Sequence, residues 1–575
     1  MNASSKFAFP YRQWLTVIVL CGLLFTYRSH QYSNLEPRID QSLYASYIRA
    51  VVEADHTIPR SSTQGSFRSA LETDQQSRLH QIAIMLKNNQ NLVSMAAYLT
   101  FAIAIEAIFN TDYKTLALLS IAFSVLSCGL AAFWVGSFAA PSGKDFLYLP
   151  ALIAFICYGL AFYPNWFSSF GPHNFGVLGL LAGVISLQWA FDSSPSGSWN
   201  TNTWRIVLLV HAFAFLTHWT TVILLLPVTL LAIVAYSGGI KYTIKPLAMY
   251  VLFTCVVVLL PWMGMHIISG DPVTSSTKWL MGPIGAKPQL EMSRFLFRIV
   301  DWFRTSTLEF SIFGLVSGVL GCAYLAWIHK KYLPVCVLFV HFLCWVVMPG
   351  FTDNGTPTFL RTINYLFPFL AIGMGALSVL PFSSLLSKNL KFMVSVGLAV
   401  FILAHLYIQF NPLIDQQNLA QREPRFIESY LRGQGTLRPF AREADSLIAD
   451  GSTVIANHYS ARVNFQTMRP ALRKQLNWLP ELDSLLEQTI AGNYKPYAQR
   501  RGILQNCKSV YLFSRDELTS TPELERSLQS VFGDMGMGCQ VRNLTSLKRW
   551  TTNITAFESV SLYRIDLTGP VLGLK

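Results

Sequence analysis

Charge is what this sequence has least of. Only 13% of its 575 residues are Asp, Glu, Lys or Arg, while 52% are hydrophobic and the mean hydropathy is positive. Metal-ligand spacings, a glycine-rich phosphate loop, low-complexity tracts and internal repeats are also missing, so no zinc module, P-loop enzyme or solenoid is indicated. Cysteine is sparse, with nine in the chain. All but Cys507 and Cys539 lie in apolar stretches, where a buried, unreactive thiol is the default. Acids are the minority charge, 31 against 44 basic residues, giving a formal net charge of +13. That excess is no nucleic-acid signature. Much of it sits between apolar runs or in the C-terminal region, where it meets anionic lipid head groups.

What is present is a series of apolar runs of about 17–25 residues, long enough to cross ~30 Å of hydrocarbon. They lie near 13–28, 114–137, 146–163, 174–191, 246–269, 309–328, 333–349, 363–382 and 391–410. The run 205–236 is too long for one upright helix and short for two, at ~1.5 Å per residue. The run 91–109 carries Glu106.

Charge orders these runs into a topology. Lys6 and Arg12 precede the first span and place the N-terminus inside. The polar stretch 28–90 is then outside. With 91–109 taken as an interfacial or re-entrant helix, and 205–236 as two short spans broken near His218, the short basic loops all fall inside. These are 138–145 with Lys144, 192–205 with Arg205, 237–245 with Lys241 and Lys245, 329–332 with Lys330 and Lys331, and 383–391 with Lys388 and Lys391. About eleven spans result. Thr26-Tyr-Arg-Ser-His is a poor cleavage site, so the first span reads as a retained anchor.

The expected fold class is therefore a polytopic α-helical membrane protein with a C-terminal extracytoplasmic α/β domain. Its parts are a tail and first helix (1–28), a first outer loop (29–110), a transmembrane bundle (111–410) and the outer domain (411–575). In that last part, strand-like runs at 452–457, 509–513 and 559–565 alternate with helical patterns at 423–449, 476–491 and 521–532. Cys507 and Cys539 are candidates for a disulfide there, given an extracytoplasmic location.

The chemistry-bearing residues concentrate after the first span. Asp40 sits about a dozen residues beyond the membrane exit, with Tyr44 and Tyr47 following on one face of an expected helix over 39–54. A carboxylate held at a membrane lip suits a general base, which needs to lie within ~3 Å of the proton it takes. The plainer alternative makes Asp40 and Glu36 solvated loop acids or a helix cap.

The string Asp40-Gln-x-x-Tyr44-Ala45, then Arg49, then Asp55-x-x-Ile58-Pro59, resembles the first periplasmic loop of the GT-C glycosyltransferases. These polytopic enzymes use polyprenyl-phosphate sugars. They include protein mannosyltransferases, the lipid A aminoarabinose transferase and mycobacterial arabinosyltransferases. Their loop reads Asp-Glu-x-x-Tyr-Ala, then Gly-Asp-x-x-Val-Pro. A second string, Arg361-Thr-Ile-Asn-Tyr365-Leu-Phe-Pro368, is similar to the family's Arg-Tyr-Leu-x-Pro segment. The layout of anchor, loop, bundle and outer domain agrees over nearly the whole chain. There are departures. Gln41 replaces the second acid, and the Pro-Pro-Leu-Tyr segment after the loop is absent. His173 stands where many relatives carry an acid, and His218 where many carry a lysine.

The resemblance implies a reaction. Asp40 takes the acceptor proton, the acceptor attacks the anomeric carbon with inversion, and polyprenyl phosphate leaves. Arg361 would bind the donor phosphate through two oriented hydrogen bonds, with His173 and His218 beside it. Tyr44, Asp55 and Glu36 would support the acceptor or the loop. The implied partners are a polyprenyl-phosphate sugar, a protein, lipid or polysaccharide acceptor, and membrane lipids, with no nucleic acid. No metal or other cofactor is expected, and the setting is a bacterial inner membrane with the site facing the periplasm. Each residue also has a structural reading. Arg361 serves as a snorkelling anchor, His173 as an interfacial structural histidine, His218 as a helix-end group bonding backbone, and Asp55 as a turn residue before Pro59. Asp353 and Asn354 read as a turn or as shaping the mouth near Arg361. Trp262, Trp279 and Trp302, with Phe295 and Phe297, read as interfacial aromatics or as a hold for isoprenoid or sugar. The stretch from Asn457 to Phe465 reads as a strand-loop or an acceptor-choosing edge.

Rival classes make different demands. A transporter calls for repeats and polar or ionisable groups at mid-membrane, whereas these spans contain almost no Asp, Glu, Lys or Arg and the acids concentrate at the outer lip. An oligosaccharide ligase or polymerase calls for its main outer loop late in the chain.

Overall fold

In a computed structural model of the chain, the residues described here are 11–32, 96–109, 113–138, 146–161, 172–193, 201–236, 240–260, 292–347, 362–382, 386–414, 443–444, 446–448, 453–456, 477–478, 509–515, 540–554 and 557–568. The chain divides into two units. One comprises 1–33, 90–101 and 117–418, the other 34–89, 102–116 and 419–575.

Helices make up the first unit because its apolar runs leave backbone groups no partners but each other. They are α1 (Tyr11–Tyr32), α2 (Ala96–Phe109), α3 (Tyr113–Phe138), α4 (Tyr148–Gly159), α5 (Pro172–Asp192), α6 (Thr201–Thr217) and α7 (Trp219–Tyr236). There follow α8 (Ile240–Thr254, continued by a π turn, Cys255–Leu259), α9 (Met292–Phe310), α10 (Ile312–His329), α11 (Leu333–Val347), α12 (Phe367–Leu377) and α13 (Lys388–Ile414). Helices α2 and α3 begin or end in the second unit.

Among the described residues, four segments are long and apolar enough to cross a membrane: Leu118–Ser137, His173–Asp192, Ile312–His329 and Lys388–Gln409. Seven further apolar helices are shorter, among them Gln13–Ser29, Asn202–Thr217 and Thr220–Tyr236. The 14 residues of α2 reach only about 21 Å. The run 205–236 is divided between α6 and α7, and His218 is the single non-helical residue separating them. Three loop boundaries are corrected. Arg205, Lys241, Lys245, Lys388 and Lys391 are not loop residues but belong to the first two turns of α6, α8 and α13. Long basic side chains extend from a helix end to water along their own stems, so the helix need not stop where the charge begins.

The helix ends sort into two groups. The C-terminal ends of α5, α7 and α10 gather together. Lys331 pairs with Asp192 at 2.5 Å, Gln188 donates to the same carboxylate at 3.0 Å, and the Tyr236 hydroxyl donates to the Lys330 carbonyl at 3.0 Å. Phe191 stacks on Tyr236 with ring centroids 4.1 Å apart. At the opposite ends of α5 and α7 lie His173 and His218, the two candidate-site histidines.

Close backbone approach holds the middle of the bundle. A Cβ on Gly321 of α10 would strike the backbone of Gly373 in α12, and one on Gly318 would strike Leu370. Small residues at such crossings let dispersion act over a long seam. Arg28, near the end of α1, is wholly buried. It donates to Ser124 Oγ of α3 at 2.6 Å and to the Gly159 carbonyl of α4 at 2.8 Å, so it ties three helices together.

The second unit contains a mixed five-stranded sheet in the order β2-β1-β3-β5-β4. Its strands are β1 (Thr453–Ala456), β2 (Asn477–Trp478), β3 (Ser509–Arg515), β4 (Gln540–Ile554) and β5 (Phe557–Thr568). Strand β1 is parallel to β2 and β3, and β5 is antiparallel to β3 and β4. Tyr511, Leu512, Leu562, Ile565 and Leu567 are buried. Trp550 Nε1 donates to Glu443 at 2.6 Å, and Lys548 pairs with the same carboxylate. The helical pattern expected from 476 is corrected at its start, where Asn477 and Trp478 are extended beside β1. A parallel neighbour offers those backbone groups partners that a lone helical turn cannot match. Strand β4 carries register shifts at Val541/Asn543, Ser546/Lys548 and Thr551/Ile554. Each shift resets the two-residue alternation, which hides the strand from a periodicity reading.

Candidate functional site

The site is built where α5 begins and where α6 gives way to α7. Pro172 opens α5, at the first-turn position that suits a residue without an N–H. His173 follows it. His218 interrupts α6 and α7, and its Nδ1 accepts the Thr220 N–H at 3.1 Å, capping the first turn of α7. An acceptor nitrogen carries no proton, so the His218 proton resides on Nε2. The rings of His173 and His218 lie 4.4 Å apart between centroids, inclined at 50°. The helix-end reading of His218 is thus realised, and the same ring still meets the other candidate histidine.

Amides and hydroxyls surround the pair. Asn174, buried, donates through Nδ2 to Ser120 Oγ at 3.1 Å and to the Ser120 carbonyl at 3.4 Å. Its Oδ1 accepts from Asn364 Nδ2 at 3.2 Å, a bond between residues 190 positions apart. Thr221 Oγ1 donates to the Gly176 carbonyl at 2.9 Å. The Tyr365 ring stands 6.3 Å from that of His218, and its buried hydroxyl sits close over Gly176. A side chain at Gly176 would collide with that hydroxyl. Residues of α3, α5, the α6–α7 junction and the turn before α12 therefore converge on one polar cluster.

A second arm reaches the same turn. Trp302 of α9 donates Nε1–H to His341 Nδ1 at 3.2 Å, and His341 Nε2 lies 2.9 Å from the Thr362 carbonyl. With Nδ1 accepting, Nε2 is the donor to Thr362. Thr362 directly follows Arg361 in the chain.

Of the residues singled out from sequence, His173 and His218 are described and brought together. Asp40, Arg361, Tyr44, Asp55, Glu36, Cys507 and Cys539 lie outside the described residues, as do Asp353, Asn354, Trp262 and Trp279. Among the described residues, no group of three His, Cys, Asp or Glu side chains gathers to hold a metal. Sequence reasoning missed Asn174, Asn364, Ser120, Tyr365 and His341 as site neighbours. Asn364 stood inside a quoted string and Asn174 directly follows His173, and their polarity within apolar surroundings was the available signal.

No family model matches the chain, and no curated protein matches it. Among solved structures it is similar to ArnT from Cupriavidus metallidurans bound to undecaprenyl phosphate. The identity is 12% and the TM-score 0.49, over 96% of this chain and 97% of that one. It is also similar to the archaeal oligosaccharyltransferase AglB from Archaeoglobus fulgidus in complex with an inhibitory peptide and a dolichol-phosphate. There the identity is 11% and the TM-score 0.47, over 91% of this chain and 71% of that one.

Proposed function

We propose that this chain is a membrane glycosyltransferase of the GT-C kind, with about eleven spans, that moves a sugar from a polyprenyl-phosphate donor to a protein, lipid or glycan acceptor. The observation that carries the reading is the meeting of His173 with His218, joined through Asn174 and Asn364 to the turn that follows Arg361. Two histidines, picked from separate stretches because they replace family motif positions, meet at one end of the bundle, and the turn that directly follows Arg361 in the sequence is hydrogen-bonded to the helix that carries His173.

In this reading the lipid phosphate lies at the membrane lip beside Arg361. Asp40 removes the acceptor proton as the acceptor attacks the anomeric carbon, the bond from that carbon to phosphate oxygen breaks, and polyprenyl phosphate leaves with the electron pair. One displacement gives inversion. The departing phosphate gains charge, and pre-oriented donors stabilise it. Arg361 supplies a guanidinium, and His218 an Nε2–H whose tautomer Thr220 fixes. Asn174 holds the helix start that carries His173. Tyr44, Asp55 and Glu36 support the acceptor loop. The enzyme works without a metal, in a bacterial inner membrane, with its site and C-terminal unit facing the periplasm.

The test is transfer from a panel of radiolabelled polyprenyl-phosphate sugars, in membranes holding wild type, Asp40→Asn or Arg361→Ala at matched expression. The expected result is transfer by wild type, loss in Asp40→Asn and a severe reduction in Arg361→Ala, all unchanged by exhaustive chelation. Undiminished transfer by Asp40→Asn would refute the base. Loss on chelation that added metal reverses would refute metal independence. No transfer from any donor to any acceptor class would turn the reading toward a ligase, polymerase or lipid transporter.

A further inference from the structure

Helix α9 differs in make-up from the spans. Its 19 residues include Arg294, Arg298, Asp301, Arg304 and Glu309, too many charges within one helix for a membrane crossing. The charges are nevertheless interleaved with aromatics and aliphatics at helical spacing. One face packs on the bundle. Trp302 and Ser306 are buried, Trp302 meets Phe342 of α11 with centroids 5.3 Å apart, and Arg298 Nη1 donates to the Val346 carbonyl at 3.1 Å. The next face is apolar and bare. Leu296, Val300 and Phe303 are 55%, 63% and 52% exposed, and they fall at i, i+4 and i+7. Asp301 and Thr305 lie on the remaining side.

We propose that α9 lies in the plane of the membrane–water interface, with Leu296, Val300 and Phe303 among phospholipid acyl chains and Arg304 at the lipid phosphates. The partner is the phospholipid surface itself, and the inference stands apart from the reaction proposed above. Two observations select it. The first is continuity. Helix α9 packs against α10 and α11, and both of those helices also expose apolar side chains, Ile312, Val316 and Leu320 on α10 and Phe339, Leu343 and Val347 on α11. A helix that extends a lipid-facing surface meets the same lipid. The second is charge placement. Arg304 is exposed and flanks the apolar stripe, so its stem follows the acyl chains while its guanidinium reaches phosphate depth. Laying the helix in the interface satisfies both faces at once. Setting it upright would draw Arg298, Asp301 and Arg304 through the hydrocarbon at successive turns.

The experiment reads depth residue by residue. Nitroxide is attached to a genetically encoded ketone residue placed singly at Leu296, Val300, Phe303, Asp301 and Thr305, which leaves the nine native cysteines untouched. The full chain is reconstituted in phosphatidylcholine–phosphatidylglycerol vesicles, and each label's accessibility to oxygen and to a water-soluble nickel chelate is measured. Labels are compared only where the melting profile matches wild type. The expected result is oxygen favoured severalfold at 296, 300 and 303, chelate favoured at 301 and 305, and a helical period along the series. Chelate favoured at all five positions would overturn the proposal, since the face would then look into water. Oxygen favoured at all five would overturn it in favour of an immersed span. Exclusion of both reagents from 296, 300 and 303 would overturn it in favour of a protein cover.

Discussion

Helix α12 and the turn before it serve two unlike regions. In mid-helix, Gly373 and Leu370 press backbone to backbone against Gly321 and Gly318 of α10, and Cys322 Sγ donates to the Phe369 carbonyl at 3.2 Å. Just before the helix, Asn364 and Tyr365 join the cluster of Asn174, Ser120, Thr221, His173 and His218. The seam is held chiefly by close packing, the cluster chiefly by side-chain hydrogen bonds, although Asn364 Oδ1 and the Tyr365 hydroxyl are buried there with no hydrogen-bond partner among the described residues. The two regions therefore tolerate different errors. The seam accepts no added atom but is indifferent to polarity, whereas the cluster is sensitive to the exchange of a single donor for a methyl.

The largest effect belongs to the seam. Gly321→Val puts branched carbons where the Gly373 backbone already stands, and neither helix can yield without losing the other's contacts. The overpacking cost is about 3 kcal/mol or more. The expected outcome is loss of folded protein, read as yield and melting temperature in detergent. Gly22→Ala is the matched control. Nothing lies within 4 Å of a Cβ at Gly22, so helix propensity alone should hold or raise the melting temperature. Equal behaviour of the two variants would show that the seam is looser than described.

Next comes the bridge across the cluster. Asn174→Leu keeps the side-chain heavy-atom count but takes away the acceptor of the Asn364 amide and leaves that amide facing hydrocarbon. Stranded polar groups of this kind cost about 2 kcal/mol. Stability should fall by that order, and transfer activity should fall further than stability explains, because the start of α12 loses its anchor to α5. Asn174→Gln, which restores an amide, should recover part of both. A variant with lowered melting temperature but full activity would reduce the bridge to packing.

Much of the bundle was legible because an apolar run of span length is a one-dimensional signal. Length left 205–236 between one helix and two, and its division near His218 followed from placing the short basic loops on one side. Arg28 was not legible in that way. A basic residue at the end of a span ordinarily snorkels, and only the placement of Ser124 and Gly159 beside it turns it inward. The sheet was half legible. Strands β1, β3 and β5 kept their apolar character, whereas β4 lost its alternation to three register shifts and β2 is too short to carry a pattern. In the candidate site, the histidines stood out as substitutions within a resembled motif. Their neighbours did not, because the Asn174–Asn364 bond joins residues 190 positions apart and leaves no local trace.

The smallest and most discriminating effect is at His218, where a fold role and the proposed chemical role share one ring. As a cap, its Nδ1 satisfies the Thr220 N–H. Asparagine is a strong capping residue, so His218→Asn keeps an acceptor at that place while removing the imidazole. His218→Ala removes both. The alanine variant should lose about 1 kcal/mol of stability through the cap, and the asparagine variant only a few tenths. Transfer should fall by the same factor in both, on the order of tenfold or more for a lost phosphate donor. A common activity loss beside unequal melting temperatures separates the two functions of the residue. If activity instead tracked stability, high in the asparagine variant and low in the alanine variant, His218 would be a helix cap and the seam and cluster would differ only in how they pack.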